Sequence, residues 1–414
     1  MNIWMLNHYA TPPDTPGGTR HYDFARELVK RGHRVTIFAS SFGHRSRKEE
    51  RLQGRQNYLV KEIGGVRFVW VRTFPYQRNE WRRAANMLSY GCRATFRGLR
   101  LKEKPDVILA SSPHPFAGLA GYLLSRRKKA KFIFEVRDLW PQTLVDVGSY
   151  KEKSLTVKLL GALERFLYRR ARKIVVLLPG AAEDITGLGI PEDQIVYIPN
   201  GVSPELFAET GARLPKKLDK LIADLKAEGK AMVGYTGAHG LADGLDTIVE
   251  TAKLLQDRGA DRIHFLLVGD GAEKKRLVEK AKSLSLNNLS FFKPIPKNAM
   301  TGLLRAIDIT IVPLRKSEMW KYGTSKNKLF DYMMCAKPIV WAINEANDPV
   351  ARVGCGISIE PEDTEQMAKA ITRLCGMSEW EQREMGKKGQ EYAMKYHSIP
   401  VLTDRLLEVM EDGR

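Results

Sequence analysis

The sequence predicts an α/β protein of two domains, each built on a parallel sheet. Three observations carry this. The 414 residues exceed what one ordinary core organises, so two domains of about 150–200 residues each are expected. Two successive sets of short apolar runs alternate with segments of helical spacing. Glycine-rich turns follow several of those runs, where a strand would hand over to a helix. Apolar residues make up 43% of the chain and charged residues 28%, which excludes a wholly disordered protein.

The first set opens with an apolar run at residues 2–8. A loop with Pro12, Pro13, Pro16, Gly17 and Gly18 follows. Residues 19–30 carry Phe24, Ala25, Leu28 and Val29 at helical spacing, and Gly32 stops them. Residues 34–40 are the next strand, which completes a βαβ start. Further strands are expected at 66–72, 106–110, 131–136, 174–178 and 195–198, with helices between them. Residues 200–230 read as a hinge. The second set has strands at 232–235, 264–268, 290–292, 309–312 and 338–342. Its helices fall at 245–258, 273–283, 300–306 and 326–335, and the chain is helical again from residue 378.

No apolar run reaches about 18 residues unbroken; the nearest, 107–124, is interrupted by Pro113, His114 and Pro115. The N-terminus enters a strand pattern directly, so no signal peptide is expected. Cys92, Cys335, Cys355 and Cys375 lack metal or CxxC spacing. They suit a reducing cytosol and read as small buried apolar residues.

Charge is unevenly placed. Residues 1–198 hold 35 Lys and Arg against 18 Asp and Glu, a net +17; the remainder hold 32 against 30, a net +2. A one-sided basic field attracts nucleic acid, or an anionic leaflet worth about 1 kcal/mol per basic residue near its surface. Charge spread out for solubility is the plain alternative. Residues 79–104 mix Trp81, Leu88, Phe96 and Leu99 with Arg82, Arg83, Arg93, Arg97 and Arg100. That composition fits a helix lying in a lipid interface, or a core-packed helix with solvated arginines. The aromatics do not form a stacking platform and no reading-helix motif is present, which argues against nucleic acid.

Several turns carry candidate chemistry. The Gly17-Gly18-Thr19-Arg20 loop lies between a strand and a helix, so its amides could hold an anion, or it is only a tight turn. It is not GxGxxG, and the second strand ends at Ser40 without an acidic residue, which disfavours a dinucleotide site. Around Gly323 the sequence reads as a glycine turn, an N-cap at Ser325 and a helix. Lys326 and Lys328 fall in its first turn, where the macrodipole disfavours cations; a bound diphosphate would offset that cost. Asp331 lies four residues after Asn327, on the same helix face, where a ribose diol could meet it. A surface lysine pair and a solvated Asp are the plain alternative. The turns Gly237-Ala238-His239-Gly240 and Gly269-Asp270-Gly271 end two further strands, and ligands bind outside the carboxyl ends of parallel strands. In the first half, His114 follows one strand and Arg137-Asp138 the next; such groups are as often structural as functional.

At these residues the chain resembles the retaining glycosyltransferases of the GT-B fold, family four. The resemblance rests on Gly17-Gly18 with Arg31-Gly32-His33-Arg34-Val35, on Pro199-Asn200-Gly201-Val202, on Val268-Gly269-Asp270-Gly271, and on residues 331–338. Within that family, residues 137–141, 240–245 and 325–331 are similar to the branch that builds bacterial O-antigens and capsules, which includes N-acetyl-L-fucosamine transferases.

The resemblance implies two Rossmann-like domains whose parallel sheets face each other across a cleft. Residues 1–198 would bind the acceptor and face the membrane. Residues 199–395 would bind the nucleotide sugar, and residues 396–414 would form a helix returning to the first domain. The implied reaction moves a sugar, with retention, from a nucleotide-diphosphate donor of UDP-N-acetylhexosamine type to a lipid-linked (polyprenyl-diphosphate) saccharide. It would take place in the cytoplasm, at the inner face of the membrane, with no cofactor or metal ion. The base would sit near Gly269, Asp270, Gly271 and Pro294, and the ribose on Asp331. The diphosphate would lie on Ser325, Lys326, Asn327, Lys328 and the Gly237, His239, Gly240 turn. The acceptor would lie against Gly17, Gly18 and Arg20, with His114, Arg137 and Asp138 nearest the chemistry.

The chain also departs from the pattern. The family has two glutamates eight residues apart; here Asp331 takes the second place and Gly323 the first. The family's Arg and Lys for the donor diphosphate fall on Ala238 and Asp243. Neutralisation would then come from Lys326 or Lys328, from glycine amides or from a metal, and the lysines and amides are favoured. Rival readings are a non-hydrolysing UDP-sugar epimerase, a nucleic-acid-binding protein and a non-catalytic sugar-nucleotide sensor.

Overall fold

The computed structural model describes residues 1–15, 18–44, 46–77, 81–141, 153–208, 212–345 and 347–412. The chain divides into two compact units. One comprises Met1–Pro13, Gly17–Pro199 and Ile399–Arg414; the other comprises Asp14–Pro16 and Asn200–Ser398.

In the first unit the chain runs β1 (Asn2–Leu6), α1 (Arg20–Lys30), β2 (Arg34–Ser40), β3 (Phe42–Gly43), β4 (Lys48–Glu49), β5 (Tyr58–Ile63) and β6 (Val66–Val71). It continues through α2 (Trp81–Arg100), β7 (Val107–Ser111), α3 (Pro115–Lys128), β8 (Lys131–Val136), α4 (Leu155–Arg170), β9 (Lys173–Val176), α5 (Ala181–Gly187) and β10 (Ile195–Tyr197). The sheet order is β10-β9-β8-β7-β1-β2-β6-β5. All pairs are parallel except β5 with β6. β1 lies between β2 and β7 and is buried along its length, which is why residues 3–6 are apolar without alternation. Ile3 and Met5 pack with Phe24, Ala25 and Leu28 of α1. Trp4 turns to the opposite face, against Phe38 and the α2–α3 pair. The sequence pattern did not show β5, an edge strand with Tyr58, Lys61 and Glu62 exposed.

In the second unit the order is α6 (Pro204–Ala208), α7 (Lys216–Ala227), β11 (Ala231–Ala238), α8 (Asp246–Asp257), β12 (Ile263–Asp270), α9 (Lys274–Ser283), β13 (Leu289–Phe292) and α10 (Lys297–Ala306). Then come β14 (Ile309–Pro313), α11 (Asn327–Met334), β15 (Ile339–Ala342), α12 (Pro349–Val353), β16 (Gly356–Ile359), α13 (Thr364–Cys375) and α14 (Glu379–His397). The sheet is parallel in the order β13-β12-β11-β14-β15-β16, with an apolar cluster on each face. The last helix, α15 (Ile399–Glu411), belongs to the first unit. Its Leu402, Leu406, Val409 and Met410 complete the core cluster that contains α1, and its Asp404 pairs with Arg31.

Strand order reverses between β1 and β7 in the first unit and between β11 and β14 in the second. Such switch points open a crevice at the carboxyl ends of the strands. Among the described residues no helix is long and apolar enough to cross a membrane. Cys355 is buried, and Cys335 and Cys375 are half-buried. Cys92 is exposed on α2, contrary to the burial expected of all four.

Candidate functional site

The switch point of the second unit is floored by two glycine turns. β11 and β12 remain paired to their ends, with Ala238 opposite Asp270. A Cβ on Gly269 would lie 1.8 Å from the Gly237 carbonyl oxygen. Gly237 itself has a φ of +147°, and a Cβ there would meet Lys328 Nζ at 2.9 Å. Both positions therefore exclude a side chain. Lys274 fixes the next turn by donating to the carbonyls of Gly269 and Phe292, each at 2.6 Å. Asp270 and Pro294 are exposed at this edge.

Lys328 reaches the floor from α11. Its Nζ donates to Tyr235 Oη at 2.6 Å and to Asp243 Oδ1 at 3.2 Å, and it lies 4.1 Å from the Tyr235 ring centre. Its side chain is 15% exposed. Burial pulls the ammonium down to about 8, and the Asp243 carboxylate offsets part of that fall. At neutral pH it is mostly charged, and one of its three N–H groups has no partner among the described residues.

His239 is fully buried beside it, and neither ring nitrogen has a partner among the described residues. Burial, reinforced by Lys274, pulls the imidazole down to about 4, so it is neutral. A buried donor or acceptor left unpaired costs about 1–3 kcal/mol, a cost that a polar ligand would remove.

The lead-in to α11 differs from the sequence expectation. The helix begins at Asn327 with Lys326 as N-cap, and no side chain caps it. Ser325 is not the cap, because its hydroxyl accepts from the Asn200 amide at 2.7 Å and its carbonyl from Asn200 Nδ2 at 2.5 Å. Lys326 lies over the Trp320 ring at 4.7 Å. Among the described residues no side chain caps the first amides of α11. Asp331 is half-buried one turn further in. Past β15, Glu345 is half-buried; its Oε1 accepts from Trp341 Nε1 at 3.2 Å and meets Thr324 Oγ1 at 3.5 Å. Burial pushes this carboxyl up to about 7.

The first unit has its own polar cluster at the β1/β7 switch point. His8, after β1, and His114, after β7, are both buried, with Nδ1 of the former 2.7 Å from Nε2 of the latter. Burial, with Arg83 nearby, pulls His114 down to about 3, which makes it a neutral hydrogen-bonding group and not a proton carrier at pH 7. Its Nδ1 has no partner among the described residues. Arg137 and Asp138 follow β8, the first half-buried and the second exposed. Arg20 needs correction as an acceptor contact. It is 5% exposed, donates to Glu135 at 2.9 Å and to the Ile198 carbonyl at 2.8 Å, and also reaches the Pro199 carbonyl. His21 and Ser111 contact the same carboxylate at 2.8 and 2.5 Å. Burial alone would raise Glu135, but Arg20 and His21 outweigh it and hold the carboxyl well below the usual range. Arg20 thus ties the unit's interior together. Gly18 is exposed; Gly17 lies outside the described residues.

Two family models cover most of the chain. The glycosyl transferase 4-like domain matches residues 17–201, and glycosyl transferases group 1 matches residues 230–376. The chain carries the two domains of a GT-B glycosyltransferase. The probable glycosyltransferase WbjE of Pseudomonas aeruginosa is 25% identical over 65% of this chain and 66% of its own length. The chain thus spans just under two thirds of that relative. The colanic acid biosynthesis glycosyl transferase WcaI of Escherichia coli K12 (a name given to it provisionally) is 24% identical over 75% of this chain and 76% of its own length. The structure of Anabaena HepE in complex with UDP and glucose shares the fold, with a TM-score of 0.69 at 15% identity over 99% of both chains.

In this GT-B chain the second unit brings Gly237, His239, Gly240, Gly269, Gly271 and Lys328 to one strand edge. Sequence reasoning counted Asp243 only as a lost cation. The structure shows it holding Lys328, which enters from another element. Tyr235, Asn200, Glu345, His8 and Glu135 were missed as well, since each acts through a partner distant in sequence; Lys274, which joins the Gly269 turn to Phe292, was missed too.

Proposed function

We propose that this protein transfers a sugar from a UDP-linked donor, of N-acetylhexosamine type, to a lipid-linked saccharide during bacterial surface-polysaccharide synthesis, with retention. The observation that carries the donor site is Lys328: a mostly charged amine at the strand-order reversal of the second unit, with one N–H unused and, beside it, an imidazole whose nitrogens are both unpartnered among the described residues. The diphosphate lies between Lys328, His239 and the uncapped amides of α11. The ribose lies on Asp331, and the base near Gly269–Gly271 and Pro294. Negative charge grows on the departing phosphate oxygen, and on this reading Lys328 and the helix amides stabilise it. On this reading Lys328 and the helix amides offset the diphosphate charge, and no divalent ion is invoked. The acceptor side is assigned to Gly17, Gly18, His114, Arg137 and Asp138. With retention, a donor phosphate oxygen can take the acceptor proton; Asp138 is the candidate if a side-chain base acts.

The membrane part of the proposal draws on α2. Trp81, Leu88, Phe96 and Leu99 are exposed there, as are Arg82, Arg93 and Arg100. α3 packs between α2 and α4, and α4 exposes Leu155, Leu159 and Phe166 with Arg165, Arg169 and Arg170. Apolar stripes edged with arginine suit an anionic lipid interface.

Calorimetry with UDP tests the donor site. Lys328→Met and Asp331→Ala are each expected to weaken UDP binding roughly tenfold or more, as for a lost hydrogen bond to a charged group. Asp138→Ala should leave UDP affinity intact and lower turnover. Wild-type UDP affinity in both Lys328→Met and Asp331→Ala would overturn the assignment.

A further inference from the structure

Ser325 precedes α11 where a serine would ordinarily cap the helix, and it does not cap it. The Asn200 amide donates to its hydroxyl at 2.7 Å, and Asn200 Nδ2 donates to its carbonyl at 2.5 Å. The helix opens one residue later, on Lys326. The Leu329 amide reaches the Lys326 carbonyl at 3.1 Å, whereas the amides of Asn327 and Lys328 have no partner among the described residues. Asn200 is itself fixed from behind. It is buried and lies in the second unit, as Ser325 and His397 do. The Val202 amide donates to the His397 carbonyl at 2.9 Å, and the His397 ring stacks on Phe330 of α11 at 4.2 Å. Ser325 is thus held at two points by a segment that α11 itself braces.

This arrangement forgoes stability. A cap is lost, two amides stay open, and Lys326 and Lys328 add positive charge at the positive end of the helix dipole. A bound diphosphate would offset all three costs, and a capping hydroxyl would compete with it for the same amides. We infer that Asn200 is a positioning residue of the donor site: its two-point hold on Ser325 keeps the hydroxyl away from the α11 amides and leaves them open to the diphosphate. Asn200 acts only through Ser325 and need not touch the nucleotide. If it merely braced the helix, its loss would weaken binding whether or not residue 325 carried a hydroxyl.

This inference rests on the proposed donor site, and the test separates the two. UDP is titrated by calorimetry into the wild type, Asn200→Ala, Ser325→Ala and the double variant. Asn200→Ala keeps the main-chain donor and removes the side-chain one, so the serine can turn and cap α11. UDP affinity should then fall about fivefold, the worth of one cap. Without the hydroxyl there is nothing to compete, so the double variant should bind UDP within about twofold of Ser325→Ala. Amide hydrogen exchange gives a second measure. Without UDP, the Asn327 and Lys328 amides should exchange freely in the wild type and be protected in Asn200→Ala. Asn200→Ser, too short to reach the Ser325 carbonyl, replaces the alanine variant should that one fail to fold. An equal loss of affinity with and without the hydroxyl, wild-type affinity in Asn200→Ala, or unprotected amides there would each overturn the role of Asn200. A wild type that binds no UDP would overturn the donor site itself.

Discussion

At the scale of single residues, Lys328 and Asp243 decide the electrostatics of the second unit's crevice. Burial works against the ammonium and Asp243 works for it, leaving the group titrating at about 8. The signs follow from that. Between about 8 and the ordinary lysine value the unfolded chain keeps a proton that the folded chain has released, so Lys328 makes stability rise with pH across that window. A diphosphate favours the charged amine, so binding has the opposite dependence. UDP affinity measured by calorimetry should decline as pH rises past about 8, with proton uptake on binding. In Lys328→Met the same titration should be flat. A flat profile in the wild type would show that the amine does not meet the ligand.

At the scale of elements, the β11 and β12 turns depend on backbone approach. Gly269→Ala puts a methyl group 1.8 Å from the Gly237 carbonyl oxygen and should destabilise the protein by roughly 3 kcal/mol in urea unfolding. A Cβ at Gly302 on α10 would meet nothing within 4 Å, so Gly302→Ala should gain about 0.5–1 kcal/mol from helix propensity. Near-equal midpoints for the two variants would contradict the tight floor. The same scale shows what the sequence could reveal. Strands buried on both faces, such as β1, β7 and β14, announce themselves as apolar-rich runs with little alternation. β5 does not, because half its side chains face water at a sheet edge, although the Gly64-Gly65 turn before β6 was a legible hairpin signal. The start of α11 was misplaced because Asn200 claims Ser325 from 125 positions away. The Lys328–Asp243 pair spans 85 positions. Local pattern carries helix and strand, whereas side-chain partners are set by tertiary packing.

At the scale of the whole molecule, charge and exposed apolar surface coincide in residues 1–198, with a net +17. Flotation with vesicles should show binding that grows with anionic lipid and weakens with salt. Replacing Trp81, Leu88 and Phe96 by Ser should reduce it at constant charge. Binding indifferent to lipid charge would remove the membrane part of the proposal. The central claim, however, is the place of the nucleotide diphosphate, and a crystal structure of the UDP complex tests it most directly. The diphosphate is expected within hydrogen-bond reach of Lys328 Nζ, at the first turn of α11, with His239 buried alongside. UDP ordered at any other edge of the second unit, with Lys328 still held only by Tyr235 and Asp243, would contradict it.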